Sequence, residues 1–340
     1  MKSNQDQSGR DARSRAPIRV VFFGTAEFAV PPLEALATDP AFQVVAAVTQ
    51  PDRPSGRGRR MESSAVKRSA EALHIPVYQP LTLRDGASRR PLEDMDADLF
   101  VVAAYGLIFG PKTLAIPRVA CVNLHASLLP RYRGASPISA AILAGDDRTG
   151  VSLMVMEQGL DTGPVISAIG EEIRSDDTVT SLTSRLAARA AVLATEGLPP
   201  FAGGEMSAVP QPSGATLTRP LAKSDGWLDW ERPAEALERQ VRAMWPWPRA
   251  WTTFGDDALQ VHQATVVPGT TEGVPGTVRV DRGMPAIVCG NELLRLDLVQ
   301  FPGSRAVNGS DAVRGRRLRD GDILGGSPPP PQPPLLVEVG

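Results

Sequence analysis

Short apolar runs alternate with helix-like stretches through the first half of the chain. The runs predict strands at residues 18–23, 42–49, 77, 99–104 and 121–125. Residues 30–37 and 65–74 between them have the composition of helices. Strands that are apolar on both faces, with helices between them, are typical of a parallel sheet covered on both sides. The first half therefore predicts an α/β domain with a Rossmann-like parallel sheet, which binds ligands beyond the carboxyl ends of its strands.

The pattern changes after residue 198. Pro, Gly, Ser and Thr dominate residues 199–222, as in a linker between two compact domains. A helix is predicted over residues 234–244. Short alternating segments follow at residues 259–267, 276–280, 286–289 and 293–299. Such spacing, with Gly and Pro turns between the segments, predicts a small C-terminal β-barrel.

The two ends of the chain differ from both domains in composition. Residues 1–17 are polar and lack the apolar core of a signal peptide, so we expect a disordered lead. Residues 326–340 contain a proline run and are expected to be extended or disordered. The predicted parts between these ends are a catalytic domain at residues 18–198, a linker at 199–222 and the barrel at 223–325.

Composition and charge are those of an ordinary globular protein. The 340 residues are 42% hydrophobic and 22% charged, with a net charge of -2. The longest apolar stretch, residues 99–110, is well short of the roughly 20 residues that a membrane helix needs. Cys121 and Cys289 lie far apart and have no CxxC spacing, which predicts neither a disulfide framework nor a zinc site. We expect a cytoplasmic protein without membrane contact, whose nucleic-acid binding, if it occurs, depends on local basic patches.

An amide and an imidazole lie on the strand predicted at residues 121–125, and a carboxylate lies downstream of it. Asn123 and His125 are two residues apart, so an extended backbone points both to one side. Asp161 lies downstream in a Gly-rich turn. Each residue alone is more often structural than catalytic. Together they supply what acyl transfer to an amine requires, which is an oxyanion donor, a proton shuttle and a carboxylate that orients the shuttle.

The sequence around these residues resembles a known signature. Asn-Leu-His-Ala-Ser-Leu-Leu-Pro-Arg-Tyr-Arg-Gly at 123–134, with Gly-Leu-Asp-Thr-Gly at 159–163, resembles the folate-dependent formyltransferases. The resemblance implies that Asn123, His125 and Asp161 are catalytic and meet at the formyl group of 10-formyltetrahydrofolate. It also implies two sets of folate contacts, which are Ser127, Leu128, Leu129 and Pro130 in one loop and Ala104, Tyr105, Gly106 and Leu107 at a strand end.

A basic stretch at residues 50–60 extends the resemblance to the tRNA-dependent members of that family. It looks like their inserted loop, which implies initiator methionyl-tRNA as the formyl acceptor. The implied tRNA contacts are Arg53, Arg57, Arg59 and Arg60. The C-terminal part resembles the OB-like barrel of these members, although from Thr218 onward it carries 14 Lys and Arg against 15 Asp and Glu. How such a balanced domain contacts tRNA is left open by the sequence.

The sequence is also compatible with functions other than formylation of tRNA. A formyltransferase for an amino sugar nucleotide or a small amine, or a hydrolase that releases formate from the same folate, shares the three catalytic residues and does not need the basic loop. A non-catalytic folate- or RNA-binding protein is a third possibility, which the intact trio disfavours. His74, His125 and His262 have no metal-ligand spacing, so no metal is expected. No obligate protein partner is indicated.

Overall fold

The computed structural model describes residues 16–55, 60–330 and 332–339. Its strands are β1 Ile18–Gly24, β2 Phe42–Val48, β3 Arg53–Ser55, β4 Arg60–Glu62, β5 Val77–Tyr78, β6 Leu99–Ala103, β7 Ala120–His125, β8 Arg133–Gly134, β9 Arg148–Val155, β10 Val165–Glu172, β11 Thr216–Thr218, β12 Ala250–Phe254, β13 Asp257–Val267, β14 Val278–Asp281, β15 Met284–Val288, β16 Leu293–Gln300, β17 Val307–Asn308 and β18 Leu336–Glu338. Its helices are α1 Val30–Thr38, α2 Ala65–Ala72, α3 Gly86–Asp94, α4 Pro111–Leu114, α5 Pro137–Ala144, α6 Val179–Ala202, α7 Ala234–Ala243 and α8 Gly309–Arg314.

A seven-stranded sheet carries the first half of the chain. Its order is β10-β9-β7-β6-β1-β2-β5. The pairs β1–β2, β1–β6, β6–β7 and β2–β5 are parallel, and β7–β9 is antiparallel. All five residues of β6 are buried, as its continuous apolar sequence predicts. The chain runs outward from β1 through β2 to β5 and then returns to the other side of β1 at β6, so the strand order reverses between β1 and β6. Such a switch point leaves a crevice at the carboxyl ends of the two strands.

The chain packs as two compact units. The first consists of Met1–His125, Ser152–Ala168 and Ala187–Pro210, and the second of Ala126–Val151, Ile169–Leu186 and Gln211–Gly340. An aromatic cluster lies in the core of the first unit, where Phe23 packs against Phe100, Tyr105 and Phe109 with ring centroids 5.0 to 5.4 Å apart.

The second unit contains an antiparallel sheet in the order β12-β13-β16-β15-β14, with β17 paired to β16. Alternate residues of these strands, such as Leu294 and Leu296, are fully buried and share a core with α7 and α8. Alternation of this kind produces one apolar face on each strand. A separate three-stranded sheet has the order β18-β11-β8.

The predicted fold class is confirmed, with a parallel-dominated sheet followed by a C-terminal domain of antiparallel strands. The structure differs from the sequence pattern within the predicted linker and at the proline-rich end. Helix α6 continues to Ala202, and β11 lies within the stretch predicted as a linker. The proline-rich end includes β18. The domain limits themselves stay predictions, and most of the expected N-terminal lead, residues 1–15, lies outside the described residues.

Candidate active site

The three predicted catalytic side chains lie around one carboxylate in the first unit. Nδ2 of Asn123 donates a hydrogen bond to Oδ1 of Asp161 over 3.3 Å. Nδ1 of His125 lies 3.6 Å from Oδ2 of the same group. Asn123 and His125 are alternate residues near the carboxyl end of β7, so both side chains project from one face of the sheet. The structure thus brings together the three groups that the sequence placed 38 positions apart.

Partial burial strengthens the contacts of this trio. The side chain of His125 is 6% exposed and that of Asp161 is 15% exposed. Charges interact more strongly where water is largely excluded. With Nδ1 of His125 directed at Asp161, the carboxylate fixes the ring, and the Nε2 side of the ring is the one turned away from the carboxylate. The trio can therefore present an amide donor and an oriented imidazole to a reacting carbonyl.

The turn between β9 and β10 positions Asp161. Its φ angle is +52°, in the left-handed region that few non-glycine residues adopt. A side chain at Gly159 would collide with Thr162, and one at Gly163 would collide with the carbonyl of Val155. The Gly-Leu-Asp-Thr-Gly sequence is therefore required by the tight turn that delivers the carboxylate to the end of β7.

The predicted folate-contacting strand end lies at the switch point of the sheet. Gly24 and Ala103 are register partners at the ends of β1 and β6. The carbonyl of Tyr105 accepts hydrogen bonds from Oγ1 of Thr25 over 3.0 Å and from Nε2 of Gln50 over 2.7 Å. These two bonds tie the backbone just beyond β6 to the residues that follow β1 and β2.

A cleft of about 280 Å³ opens beside this strand end. Its lining residues are Leu81, Thr82, Leu83, Arg84, Gly106, Leu107 and Ile108. Leu81 is 86% exposed and Ile108 is 74% exposed, and large aliphatic side chains beside a concave surface are typical of ligand sites. Two of the four predicted contacts at this strand end, Gly106 and Leu107, line the cleft. The Tyr105 side chain is buried in the aromatic core, so only its backbone is available to a ligand.

The predicted folate loop, residues 127–130, begins the second unit. Ser127 is fully buried and donates from Oγ to the carbonyl of Arg131 over 2.6 Å. This bond closes the loop on itself. Leu128, Leu129 and Pro130 are partly exposed, so these three provide the accessible surface of the loop.

A hydrogen-bonded network follows the loop. Tyr132 has a φ of +59° and is 2% exposed. Its hydroxyl donates to Oδ2 of Asp146 over 2.6 Å, and Arg131 donates from Nη2 to the same hydroxyl and to Oδ1 of Asp146 over 2.6 and 3.0 Å. Burial raises the pKa of Tyr132, and the bond to Asp146 raises it further. The hydroxyl therefore stays protonated and donating at neutral pH.

Strands β3 and β4 form a hairpin that carries the predicted tRNA contacts. Arg53 is exposed, and its Nη2 donates to Oε1 of Gln50 over 2.7 Å. Arg60 begins β4. Arg57 and Arg59 lie outside the described residues.

Asp52 stabilises the base of this hairpin through hydrogen bonds. Its carboxylate accepts hydrogen bonds from Nζ of Lys67 over 2.7 Å, from Nε2 of Gln79 over 2.8 Å and from Oγ of Ser63 over 3.4 Å. The Lys67 bond, and then the Gln79 bond, lower the pKa of Asp52. Asp52 also raises the pKa of Lys67. Since Asp52 precedes β3 and Ser63 follows β4, one carboxylate joins both ends of the hairpin.

Sequence reasoning missed several of these supporting residues. Gln50 and Asp52 flank Pro51 at the start of the basic stretch, so their position beside a turn-forming residue was an available signal. Thr25 and Gln79 carried none, because a polar residue in a connection is ordinary.

Two further observations bear on the chemistry. Burial raises the pKa of the Cys121 thiol to about 12, which agrees with its interpretation as a buried strand residue rather than a nucleophile. Among the described residues, no group of three or more His, Cys, Asp and Glu side chains is arranged to hold a metal ion.

A larger cleft, of about 800 Å³, lies in the second unit and is lined by charged residues such as Asp147, Glu235 and Arg239. No predicted site residue lines it. Within the described parts of the chain, every helix is too short or too polar to cross a membrane.

Comparison with known proteins places these features in a family. The formyl transferase profile matches residues 18–196, and the formyl transferase C-terminal domain profile matches residues 220–317. The methionyl-tRNA formyltransferase of Pseudomonas fluorescens is 44% identical over 315 residues, which cover 91% of this chain and 97% of the relative. That of Stenotrophomonas maltophilia is 46% identical over 303 residues, which cover 88% and 98%.

A solved structure shares the fold at low sequence identity. It is an N-formyltransferase from Helicobacter canadensis in complex with folinic acid and dTDP-3-aminofucose, with a TM-score of 0.62 and 16% identity over 82% of this chain and 98% of that one. At this identity the likeness concerns the fold alone. The profile matches and the curated relatives go further, and by them the chain belongs to the formyl transferase family, together with the methionyl-tRNA formyltransferases.

Proposed function

We propose that this chain transfers the formyl group of 10-formyltetrahydrofolate to the α-amino group of methionyl-initiator tRNA. Relatives named for this activity are 44% and 46% identical over about nine tenths of the chain. The observation that carries the chemistry is the meeting of Asn123 and His125 at the carboxylate of Asp161. Asn123 and His125 lie near the carboxyl end of β7, the neighbour of β6 in the sheet.

The proposed mechanism gives a role to every member of the trio. The unprotonated amine attacks the formyl carbon, and the negative charge that develops on the formyl oxygen is stabilised by Nδ2 of Asn123 and by the protonated ring of His125. Asp161 orients that ring and offsets its charge. It also accepts the proton of the attacking amine through water, and this proton is passed on to the folate nitrogen as that nitrogen leaves. The enzyme needs no covalent intermediate, and the buried Cys121 thiol supplies no activated nucleophile.

Two surfaces would hold the folate. The cleft beside Gly106 and Leu107 offers exposed aliphatic side chains to an aromatic ring system, and the backbone at this strand end offers polar groups. The partly exposed residues Leu128, Leu129 and Pro130 form the second surface. Ala104 is exposed beyond β6 and fits the same role, whereas Ser127 contributes by closing the loop.

The basic hairpin would contact the tRNA. Arg53, Arg57, Arg59 and Arg60 are proposed to bind phosphates, on a base that Asp52 fixes. In the C-terminal domain, the described arginines Arg314, Arg316, Arg317 and Arg319 are all exposed and form a local basic patch within a domain of balanced charge. Affinity for a nucleic acid can rest on such patches, because phosphate contacts are local. The proposal includes a cytoplasmic location, where charged tRNA is used, and it requires neither a membrane nor an obligate protein partner.

An acceptor panel tests this proposal. Purified protein is incubated with 10-formyltetrahydrofolate and with charged initiator tRNA, with dTDP-linked amino sugars, or with buffer alone. We expect formylation of the tRNA, and little formylated sugar or free formate. Formylation of an amino sugar, or release of formate without an acceptor, would instead support the two alternatives that share the trio.

The arginines of the hairpin provide a second, quantitative test. Replacing Arg53, Arg57, Arg59 and Arg60 by Ala should raise the KM for tRNA and flatten its salt dependence, by a slope of up to about 0.9 in log affinity per lost phosphate contact. Folate binding should survive. The double variant Arg90→Ala/Lys112→Ala removes two exposed charges elsewhere on the first unit and should leave the salt slope unchanged. An unchanged KM and slope in the quadruple variant would remove the assigned role of the hairpin.

A further inference from the structure

The C-terminal end of the chain forms a strand within the second unit. Strand β18 pairs antiparallel with β11, with Thr216 opposite Glu338 and Thr218 opposite Leu336. Backbone bonds continue the pairing at both ends. The amide of Val339 donates to the carbonyl of Ala215 over 2.9 Å, and the carbonyls of Leu335 and Pro333 accept from the backbone and side chain of Arg219 over 3.2 and 2.9 Å.

The other edge of β11 supports the segment that follows the folate loop. Strand β11 pairs in parallel with β8, where Leu217 is opposite Arg133 and Thr218 is opposite Gly134. Oγ1 of Thr216 accepts a hydrogen bond from the amide of Tyr132 over 2.7 Å. The amide of Thr216 donates to the carbonyl of Pro130 over 3.3 Å. Strand β11 therefore lies between the C-terminal strand and the last residue of the loop.

Tyr132 needs this support because its backbone is strained. A φ of +59° is unfavourable for a bulky residue and persists only where the surroundings impose it. Part of the constraint comes from the hydroxyl, through Asp146. The rest comes from the amide bond to Thr216 and from packing. Leu336 of β18 packs against the buried cluster of Tyr132, Ala140 and Ala141.

The strands involved are too short to hold this arrangement in isolation. Strand β8 has two residues and β11 has three, and an isolated pair of strands is marginal at best in water. The third strand, β18, adds backbone hydrogen bonds on the open edge of β11 and an apolar contact on Tyr132. Six of the residues at 328–334 are proline. Such a segment is already extended, so docking β18 orders little additional chain.

We propose that residues 332–339 act as a strap that keeps the folate loop, residues 127–130, in its binding conformation. The strap acts through β11 on Pro130 and Tyr132, and its role in folate binding rests on the function proposed above. Thr216 is a positioning residue in this arrangement, since it contacts the loop and not the reacting groups. Loss of the strap should release the strain at Tyr132 and make the loop mobile.

Two substitutions on adjacent residues of β18 test the strap. Leu336 faces the Tyr132 cluster, whereas Val337 is 49% exposed, because successive residues of a strand point to opposite faces. Leu336→Asp should accelerate amide hydrogen exchange in residues 128–134 at least 10-fold and weaken the binding of 5-formyltetrahydrofolate, measured by calorimetry, about 5- to 10-fold. Val337→Asp introduces the same charge on the other face and should change both quantities less than 2-fold.

Thr216 provides a test that does not depend on tolerance of a new charge. Thr216→Val removes the oxygen that accepts from the Tyr132 amide but keeps the shape of the side chain. We expect faster exchange at Tyr132 and about 3- to 5-fold weaker folate binding. Thr216→Ser retains the oxygen and should restore both. With folate saturating, the turnover of Thr216→Val should return to within 2-fold of the wild type, because the residue positions the loop without taking part in the chemistry.

The outcomes separate this inference from the proposed function. The proposed role of the strap is wrong if amide hydrogen exchange in residues 128–134 is unchanged in both Leu336→Asp and Thr216→Val. It is also wrong if Val337→Asp has the same effect as Leu336→Asp. Neither conclusion depends on which reaction the protein catalyses. If the wild type neither binds 5-formyltetrahydrofolate nor formylates tRNA, the proposed function fails, and exchange in residues 128–134 still decides whether β18 holds the loop.

Discussion

Two members of the catalytic trio come just before the folate loop in the chain, but the trio and the loop are held in different ways. Asn123 and His125 occupy a strand end, and Asp161 comes from the turn that follows the neighbouring strand β9. The loop is held by Thr216, 84 positions from Tyr132, and through β11 by the last residues of the chain. The groups proposed for the chemistry thus depend on the central sheet. The loop, which is one of the two surfaces proposed for the folate, depends instead on short strands formed by the predicted linker and tail.

This difference predicts two classes of variant. Changes in the trio should lower turnover and leave folate affinity nearly intact. Changes in the support of the loop should weaken folate affinity and leave turnover at saturation nearly intact.

The largest effect is expected in the trio itself. Asn123→Ala should lower turnover by roughly 10²–10³, as for the loss of an oxyanion donor, and His125→Ala should lower it at least as much. Calorimetry should show folate affinity within about 3-fold of the wild type. Cys121→Ala is the matched control, because Cys121 lies on the same strand and face of β7 and takes no part in the proposed chemistry. Near-normal turnover in His125→Ala would remove the imidazole from the mechanism.

A smaller effect, confined to binding, is expected at Tyr132. Tyr132→Phe removes the hydroxyl that bonds to Asp146, and a hydrogen bond to a charged group contributes roughly 1.5–3 kcal/mol. Part of that loss should appear as a rise of about 5- to 10-fold in the KM for folate, with kcat within 3-fold. Tyr78→Phe removes a hydroxyl bonded to the carbonyl of Ser88 and serves as the control. A fall in kcat without a change in KM would contradict the division between the two regions.

Gln50 tests whether the strand end beyond β6, in the first unit, needs support from a side-chain hydrogen bond. Gln50→Glu keeps the acceptor for Arg53 but replaces the donor to the Tyr105 carbonyl with a negative charge. We expect a rise of about 3- to 5-fold in the KM for folate and a smaller one for tRNA. Gln43→Glu makes the same change at an exposed position of β2, where the side chain accepts a hydrogen bond from Arg19, and should have no effect. Equal KM values for Gln50→Glu and wild type would show that the strand end needs no such support.

The thiol of Cys121 is expected to be unreactive in the folded protein. Since burial raises the pKa of its thiol to about 12, the thiolate is disfavoured below that pH and is roughly 10⁻⁴ of the total at pH 8. Iodoacetamide should therefore label Cys121 in the native protein at least 10³ times more slowly than an exposed cysteine, and at an ordinary rate after denaturation. Fast labelling at pH 8 would require a reactive thiol beside the trio.

The parts of this molecule that the sequence predicts are those with a local pattern. The strands at 18–23, 42–49 and 99–104 are predominantly apolar, and each is found within one or two residues of its predicted limits. The meeting of Asn123, His125 and Asp161 follows from their motif and from the geometry of strand ends.

The supporting elements could not be predicted in this way. Strands β11 and β18 have two or three paired residues in stretches rich in Gly and Pro, where composition favours a linker or a tail and only tertiary pairing decides. Pro199 and Pro200 lie inside the last turn of α6, although proline ordinarily ends a helix. Gln50 bonds to a carbonyl 55 positions away, and neither its neighbours nor its type indicates that contact.

The central claim is that the trio acts in the chemical step, whereas the support of the loop acts in folate binding. Single-turnover formylation of methionyl-initiator tRNA under saturating folate tests this claim. Asp161→Asn and Leu336→Asp are measured side by side with the wild type. We predict that Leu336→Asp recovers to within 3-fold of the wild-type rate once folate saturates, while Asp161→Asn remains at least 100-fold slower at every folate concentration. If the formylation rate of Asp161→Asn recovered at high folate, the carboxylate would be a group that binds folate and would have no part in the chemistry, which contradicts the proposed mechanism.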